Sequence, residues 1–236
     1  MKNKTKCEKV ARDPNRGLWE NPKPLQGQNE LQEHYIRCIQ ESAITIATGY
    51  PGTGKTYIPA RIAAEMYKRK EISNITLIRP NVSASKSMGY YPGSKTEKMT
   101  QWLAPVLSAL REEFTNYALN SMMNPETNAL NMCPLELIKG LSLNKSFIIV
   151  DEAEDLTIKE VKAILTRIGY GSKIVLCGDI QQADIRESGL SKFINMLEQD
   201  SRLQSMIGLV DFNDKKMIVR SPACKEIILG FERAGI

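Results

Sequence analysis

The sequence predicts a single α/β domain, a mostly parallel sheet with helices on both faces. Three observations predict it. Apolar runs of strand length, "AITIAT" (43–48), "ITLIRP" (75–80), "SFIIVDEAED" (146–155) and "SKIVLCGD" (172–179), alternate with segments of helical period. The runs are apolar almost throughout, as strands are when both faces are covered. A glycine-rich stretch, "GYPGTGKTY" (49–57), falls between the first run and the first long helical pattern. That is the edge at which such sheets hold ligands.

The elements follow in order. Residues 1–30, rich in Lys, Asn and Pro, are expected to form a basic, poorly ordered tail, and residues 31–236 the domain. "NELQEHYIRCIQ" (29–40) is a helix candidate with Leu31, Tyr35, Cys38 and Ile39 on its inner face. "KTYIPARIAAEMYKRK" (55–70) is another, with Ile58, Ile62, Ala63 and Met66 in one stripe. After the second strand, "NVSASKSMGYYPGSK" (81–95) has too little apolar content for a strand and reads as a loop. A long helix is expected from about Lys98 to Asn120, burying Trp102, Val106, Leu107 and Leu110. "NPETNALNMCP" (124–134) reads as a loop. "TIKEVKAILTRIG" (157–169) reads as a helix capped by Thr157 and stopped at Gly169. "MIGLVDF" (206–212) and "KKMIVR" (215–220) offer further strands, and "PACKEIILGFERA" (222–234) closes as a helix with Pro222 in its first turn.

Composition narrows the function classes. Formal net charge is +5, of which residues 1–24 carry +4. A basic tail can track a phosphate backbone, and it can equally be a solvated end. The five cysteines include no C-x-x-C pair and the one histidine is His34, which argues against a zinc site and for a reducing cytoplasm. No apolar run approaches membrane-spanning length, and the N-terminus has no secretory core segment.

The loop at 49–57 fits G-x-x-x-x-G-K-[ST] through Gly49, Gly54, Lys55 and Thr56. Glycines, including Gly52, let main-chain N–H groups wrap a polyphosphate. Lys55 brings a charge to the outer phosphates, and Thr56 offers a hydroxyl to Mg²⁺. The strand "FIIVDE" would end with Asp151 beside that loop, placed to hold Mg²⁺, and with Glu152 as general base toward a water. Read alone, the two acids could merely cap the next turn. "CGDIQQ" (177–182) would bring Asp179 and Gln182 to the γ-phosphate from the next strand; on its own it is also a plain Gly-Asp turn.

These motifs together resemble the PhoH family of phosphate-loop ATPases, single-domain relatives of the superfamily 1 helicase core, from about Gln32 to Glu232. "LQEHYI" resembles the family's Gln-x-x-Tyr segment, which implies Gln32 as adenine reader. "GYPGTGKTY" resembles its phosphate loop, which adds Pro51, Thr53 and Tyr57 to the nucleotide contacts. "LIRP" with "GYYPGSKTEKM", and "LTRIGYGSKIVLCGDIQQADI" followed by "SGL", are similar to its signatures. Glu154, Asp155 and Ser221 stand where the family usually has Gln, Asn and His, and Lys139-Gly140 where it has Arg-Gly. The resemblance implies a RecA-like fold, ATP with Mg²⁺, and a ring, hexameric by expectation, with nucleotide between subunits.

Fast hydrolysis needs a cation on the transition state, worth about 10³–10⁵ in rate where measured. The chain is short for two helicase domains, so that arginine is expected from the same fold or a neighbour. Arg220 is the first candidate, Arg167 the second, and Arg79 a third. The leading expectation is an ATPase acting on single-stranded RNA or DNA, with Tyr90 and Tyr91 as stacking candidates. An ATP-gated switch or scaffold, and a phosphate-loop small-molecule kinase, are the alternatives.

Overall fold

A computed structural model describes residues 17–20, 22–80, 104–219 and 221–234. Tyr90, Tyr91, Trp102, Arg220, the loop at 81–95 and the first sixteen residues lie outside the described residues. The sheet contains β1 (Ile44–Gly49), β2 (Asn74–Ile78), β3 (Leu130–Met132), β4 (Ser146–Val150), β5 (Lys173–Gly178) and β6 (Ile207–Phe212). Their order is β3-β2-β4-β5-β1-β6, and each of these pairings is parallel.

Side-chain alternation along the strands divides the core in two. Ala47, Phe147, Ile149, Val175 and Cys177 face one side, under α1 (Glu30–Glu41), α2 (Tyr57–Lys68), α3 (Ala104–Leu110) and α4 (Asn116–Met122). Ile46, Ile148, Val150, Ile174 and Leu176 face the other, under α5 (Ile158–Leu165) and α6 (Gly189–Glu198). The short α7 (Ser201–Gln204) and the final α8 (Pro222–Ala234) complete the described helices. Caps written in the sequence fix the entries. Asn29 accepts from Gln32 N at the start of α1, and Thr157 with Glu160 closes a capping box on α5. Gly189 lets α6 start directly against α5: a Cβ there would meet the main chain of Leu156, Thr157 and Ile158.

Several expectations are corrected. The helix predicted to Asn120 is broken at 111–115, because Glu113 turns inward to meet Arg61 and Lys68 and Thr115 caps a new helix. The 124–134 loop contains β3, a three-residue edge strand paired with β2. Among the described residues of "KKMIVR" there is no strand; Lys215–Met217 is one turn of 3₁₀ helix. The helix from Thr157 ends at Leu165, and Gly169 instead turns against Leu143 and Asn144. Within the expected tail, Trp19 lies edge-on to Phe114 and Tyr67.

Arg61 and Glu113 form a buried ion pair at 2.5 Å, joined by Lys68. Removing one partner of such a pair leaves a buried charge, at a cost of about 3–5 kcal/mol. Glu113→Ala should therefore lower the unfolding free energy in urea by that amount with an unchanged m-value; a loss under about 1 kcal/mol would mean that Arg61 is hydrated.

Candidate functional site

β1 delivers the chain to Gly49 at φ 114°, followed by Gly52 at 75° and Gly54 at 94°. Gly49 has no substitute, since a Cβ would strike the Phe212 main chain. Thr53 closes the turn internally, its hydroxyl donating to Tyr50 O at 2.9 Å. Lys55 Nζ donates to Gly49 O and, at 2.6 Å, to Tyr50 O. Burial pushes the Lys55 ammonium below its ordinary pKa, opposed chiefly by Asp179. The loop is pinned from behind by Tyr35, whose hydroxyl donates to Lys55 O, and by Cys177 Sγ, which donates to the same oxygen at 3.0 Å. The end of β6 and the chain after it tie it from the other side: Tyr50 N donates to Phe212 O at 3.2 Å, and Val219 N donates to Gly52 O at 3.0 Å.

The neighbouring parallel strands bring acids to the same edge. Register pairs Thr48 with Gly178 and Leu176 with Val150, so Asp179 and Asp151 flank the loop. Thr56 Oγ1 donates to Asp151 Oδ1 at 2.7 Å. Burial raises Asp151, partly offset by that bond. Gln182 Nε2 donates to Asp179 Oδ2 at 2.9 Å, and burial raises Asp179 against the pull of Lys55. Glu152 sits in the left-handed region at φ 53°, a conformation that costs a non-glycine residue about 1 kcal/mol or more. Arg79, at the end of β2, donates to Glu152 Oε1 at 2.7 Å and lies 3.9 Å from Asp151.

A cleft of about 570 Å³ collects these groups: Gln32, Pro51, Gly52, Gly54, Lys55, Thr56, Tyr57, Asp151, Glu152, Asp179 and Gln182 all line it. Gly49 and Thr53 support it from the loop. Arg167 is not brought there. Its carbonyl accepts from Leu143 N, before β4 begins, at the amino edge of the sheet. The five residues of β4, about 16 Å, separate it from the acids of its own chain. Gln32 is in the cleft wall, yet its carboxamide is engaged at both ends, with Thr53 O and Gln28 N.

Three parts of the site escape sequence reasoning. Arg79, a candidate cation for the transition state, instead clasps the acidic pair. Leu25, Gln28, Pro105 and Ser108 also line the cleft, and no motif marks them. The third is how Glu154 sits. It is 2 % exposed, lines the cleft, and its Oε2 has no hydrogen-bond partner among the described residues. Burial and the neighbouring Glu152 push Glu154 up to about 8. An acid raised by folding stabilises fully below its ordinary value of 4.5, and that contribution is lost as pH rises toward 8. Glu154→Gln has no proton to lose. Its Tm relative to the natural chain should climb between those pH values and level off above, by several degrees for about 1–3 kcal/mol. A difference flat across that range would show that Glu154 is not held neutral.

Asp151, Glu152, Glu154 and Asp179 face the cationic side chains of Lys55 and Arg79. A polyphosphate entering this field needs further positive charge. Among the described residues no group of three or more His, Cys, Asp or Glu can hold a metal alone. The Thr56 hydroxyl and the Asp151 carboxylate supply two oxygens. That fits Mg²⁺, which fills its other positions with phosphate oxygens and water.

The parallel sheet, the loop on β1 and the acids on β4 and β5 define a phosphate-loop nucleotide-binding domain. The model of the PhoH family, described as PhoH-like protein, matches residues 24–232. The chain belongs to the PhoH family. It is 32 % identical over 208 residues to Protein PhoH of Escherichia coli K12, covering 87 % of this chain and 57 % of that one. It is 32 % identical over 206 residues to a PhoH-like protein of Synechocystis, covering 86 % and 61 %. The chain thus spans a little over half the length of these relatives. Among solved structures, the large terminase of a thermophilic bacteriophage shares the fold, with TM-score 0.54 and 12 % identity, over 86 % of this chain and 50 % of that one.

Proposed function

We propose that the chain is a Mg²⁺-dependent ATP hydrolase. It works as a ring, a hexamer, in the cytoplasm, and couples turnover to binding or remodelling single-stranded RNA or DNA. The observation that carries the reading is the Thr56–Asp151 contact at 2.7 Å with Glu152 as the next residue. Thr56 and Asp151 hold the cation, whose charge offsets that of the phosphates. Lys55 exchanges its loop carbonyls for outer phosphate oxygens. Glu152 takes the proton of the attacking water as the oxygen–phosphorus bond forms and the bond to ADP breaks. Asp179 and Gln182, already joined, sense the γ-phosphate from β5. Arg220 or Arg167 of a neighbouring copy supplies the transition-state cation. No helix among the described residues is long and apolar enough to cross a membrane.

One observation favours a second reading, an ATP-gated switch with little turnover: Arg79 occupies the Glu152 Oε1 at 2.7 Å, an oxygen that an attacking water would have to reach. Phosphate release from ATP, alone and with single-stranded RNA or DNA, separates the two. Stimulation by one polymer, lost in Glu152→Gln, supports the hydrolase and names its partner. Binding of ATP without release would move the function to the switch.

A further inference from the structure

Tyr170 is 89 % exposed, the most exposed large apolar side chain among the described residues. Its main chain is fixed on both sides. Tyr170 N donates to Asn144 Oδ1 at 2.9 Å, and Tyr170 O accepts from Lys145 N at 2.9 Å. On one flank, a Cβ on Gly169 would meet Asn144 Oδ1 at 2.2 Å and Leu143 O at 2.6 Å. On the other, the Ser172 hydroxyl donates to Leu143 O at 2.6 Å and accepts from Ser146 N at 2.9 Å. The ring thus stands in solvent on a fixed main chain, with only two side-chain torsions to lose on binding.

The chain around this ring is basic. Segments 139–145, "KGLSLNK", and 166–173, "TRIGYGSK", hold Lys139, Lys145, Arg167 and Lys173 and no acid. Residues 1–24 carry +4 of the net +5, so four cations here are a local excess on a domain otherwise close to neutral. The two segments meet: Arg167 Nη1 donates to Lys139 O at 3.2 Å, and Leu143 N donates to Arg167 O at 3.1 Å. Lys173 is engaged by Gln40 O and Ser42 O, and Glu71 is the acid that acts on it. Lys139 and Lys145 are exposed, and neither is in an ion pair among the described residues.

We propose that this edge is the docking surface for a single strand of nucleic acid, with Tyr170 stacked on a base and the Lys139 and Lys145 ammonium groups on phosphates. A ring reads a base face and an ammonium reads a phosphate. RNA and DNA share both features, so the surface takes either; a duplex keeps its base faces stacked inside. β4 starts beside Lys145 and ends at Asp151, and β5 starts at Lys173 and ends at Asp179. Polymer and nucleotide thus sit at opposite ends of the same two strands. The inference rests on the single-strand part of the proposal above. It gives the edge that carries Arg167 to the polymer, which leaves Arg220 as the cation from a neighbouring copy.

The test is fluorescence anisotropy of labelled oligo-U, oligo-dU and a duplex, each of about 12 nucleotides per strand, with the full chain and its variants. The natural chain should bind both single strands, and each more tightly than the duplex. Tyr170→Ala should weaken both by about 5- to 150-fold, the worth of one stacked base. Tyr170→Phe keeps the ring and should stay within about 2-fold. Lys139→Ala with Lys145→Ala should flatten the slope of log affinity against log salt by about 1.4, for two phosphates of a single strand. ATP binding should be unchanged in all of these variants. Single-strand affinity retained in Tyr170→Ala, a salt slope unmoved by loss of both lysines, or a duplex bound as tightly as the single strands would overturn this surface and leave the single-strand reading standing. So would an affinity loss that comes with a changed molecular mass in light scattering, which would make this edge a contact between copies. A natural chain that binds neither single strand removes the single-strand reading itself, and this surface with it.

Discussion

Glu152→Gln is expected to lower ATP turnover by about 10²–10⁴-fold, the usual contribution of a positioned general base, with ATP affinity held. The amide keeps the shape of the side chain and can still meet water, but it cannot accept a proton. It also frees Arg79 from its 2.7 Å ion pair, which takes one negative charge from a crowded acidic field. Affinity for the anionic substrate should thus stay level or tighten. Phosphate release under single-turnover conditions, with binding measured in parallel, checks both halves. Turnover unchanged in the variant would remove Glu152 from the role of base. Turnover and binding lost together would mean that Glu152 shapes the cleft instead.

Lys55→Ala is expected to weaken ATP binding by about 10²–10⁴-fold. Two charge-assisted hydrogen bonds to phosphate oxygens are worth about 3–6 kcal/mol together. Without nucleotide those donors are satisfied by Gly49 O and Tyr50 O, so the folded chain does not depend on a bound phosphate to accommodate the ammonium. Far-UV circular dichroism should be unchanged, and calorimetric titration should show the loss. Binding within about 3-fold of the natural chain would place the outer phosphates elsewhere.

The chemistry-bearing edge is legible in the sequence because its signals are local. Gly49 to Thr56 encode their own turn, and Asp151 and Asp179 each end an apolar run, so parallel pairing alone brings them together. What escapes depends on partners distant in sequence. Leu130–Met132 is a strand only because β2 offers an edge to it. Glu113 breaks a helical pattern only because Arg61 and Lys68, 52 and 45 residues away, wait for its carboxylate. Gln32 is legible as a residue of the site, but the commitment of both ends of its amide needs the loop and Gln28 in place. The helix α6 follows the same logic, since Gly189 can begin it only where the α5 cap already stands.

The Tyr50–Phe212 and Val219–Gly52 bonds lace the end of β6 and the chain after it to the phosphate loop on either side of its turn. Ile227 and Phe231 on α8 are 60 % and 56 % exposed, so this helix offers a grip rather than a buried anchor. The two bonds thereby set the shape of the loop from outside its own strand, by main-chain groups that no side-chain substitution removes.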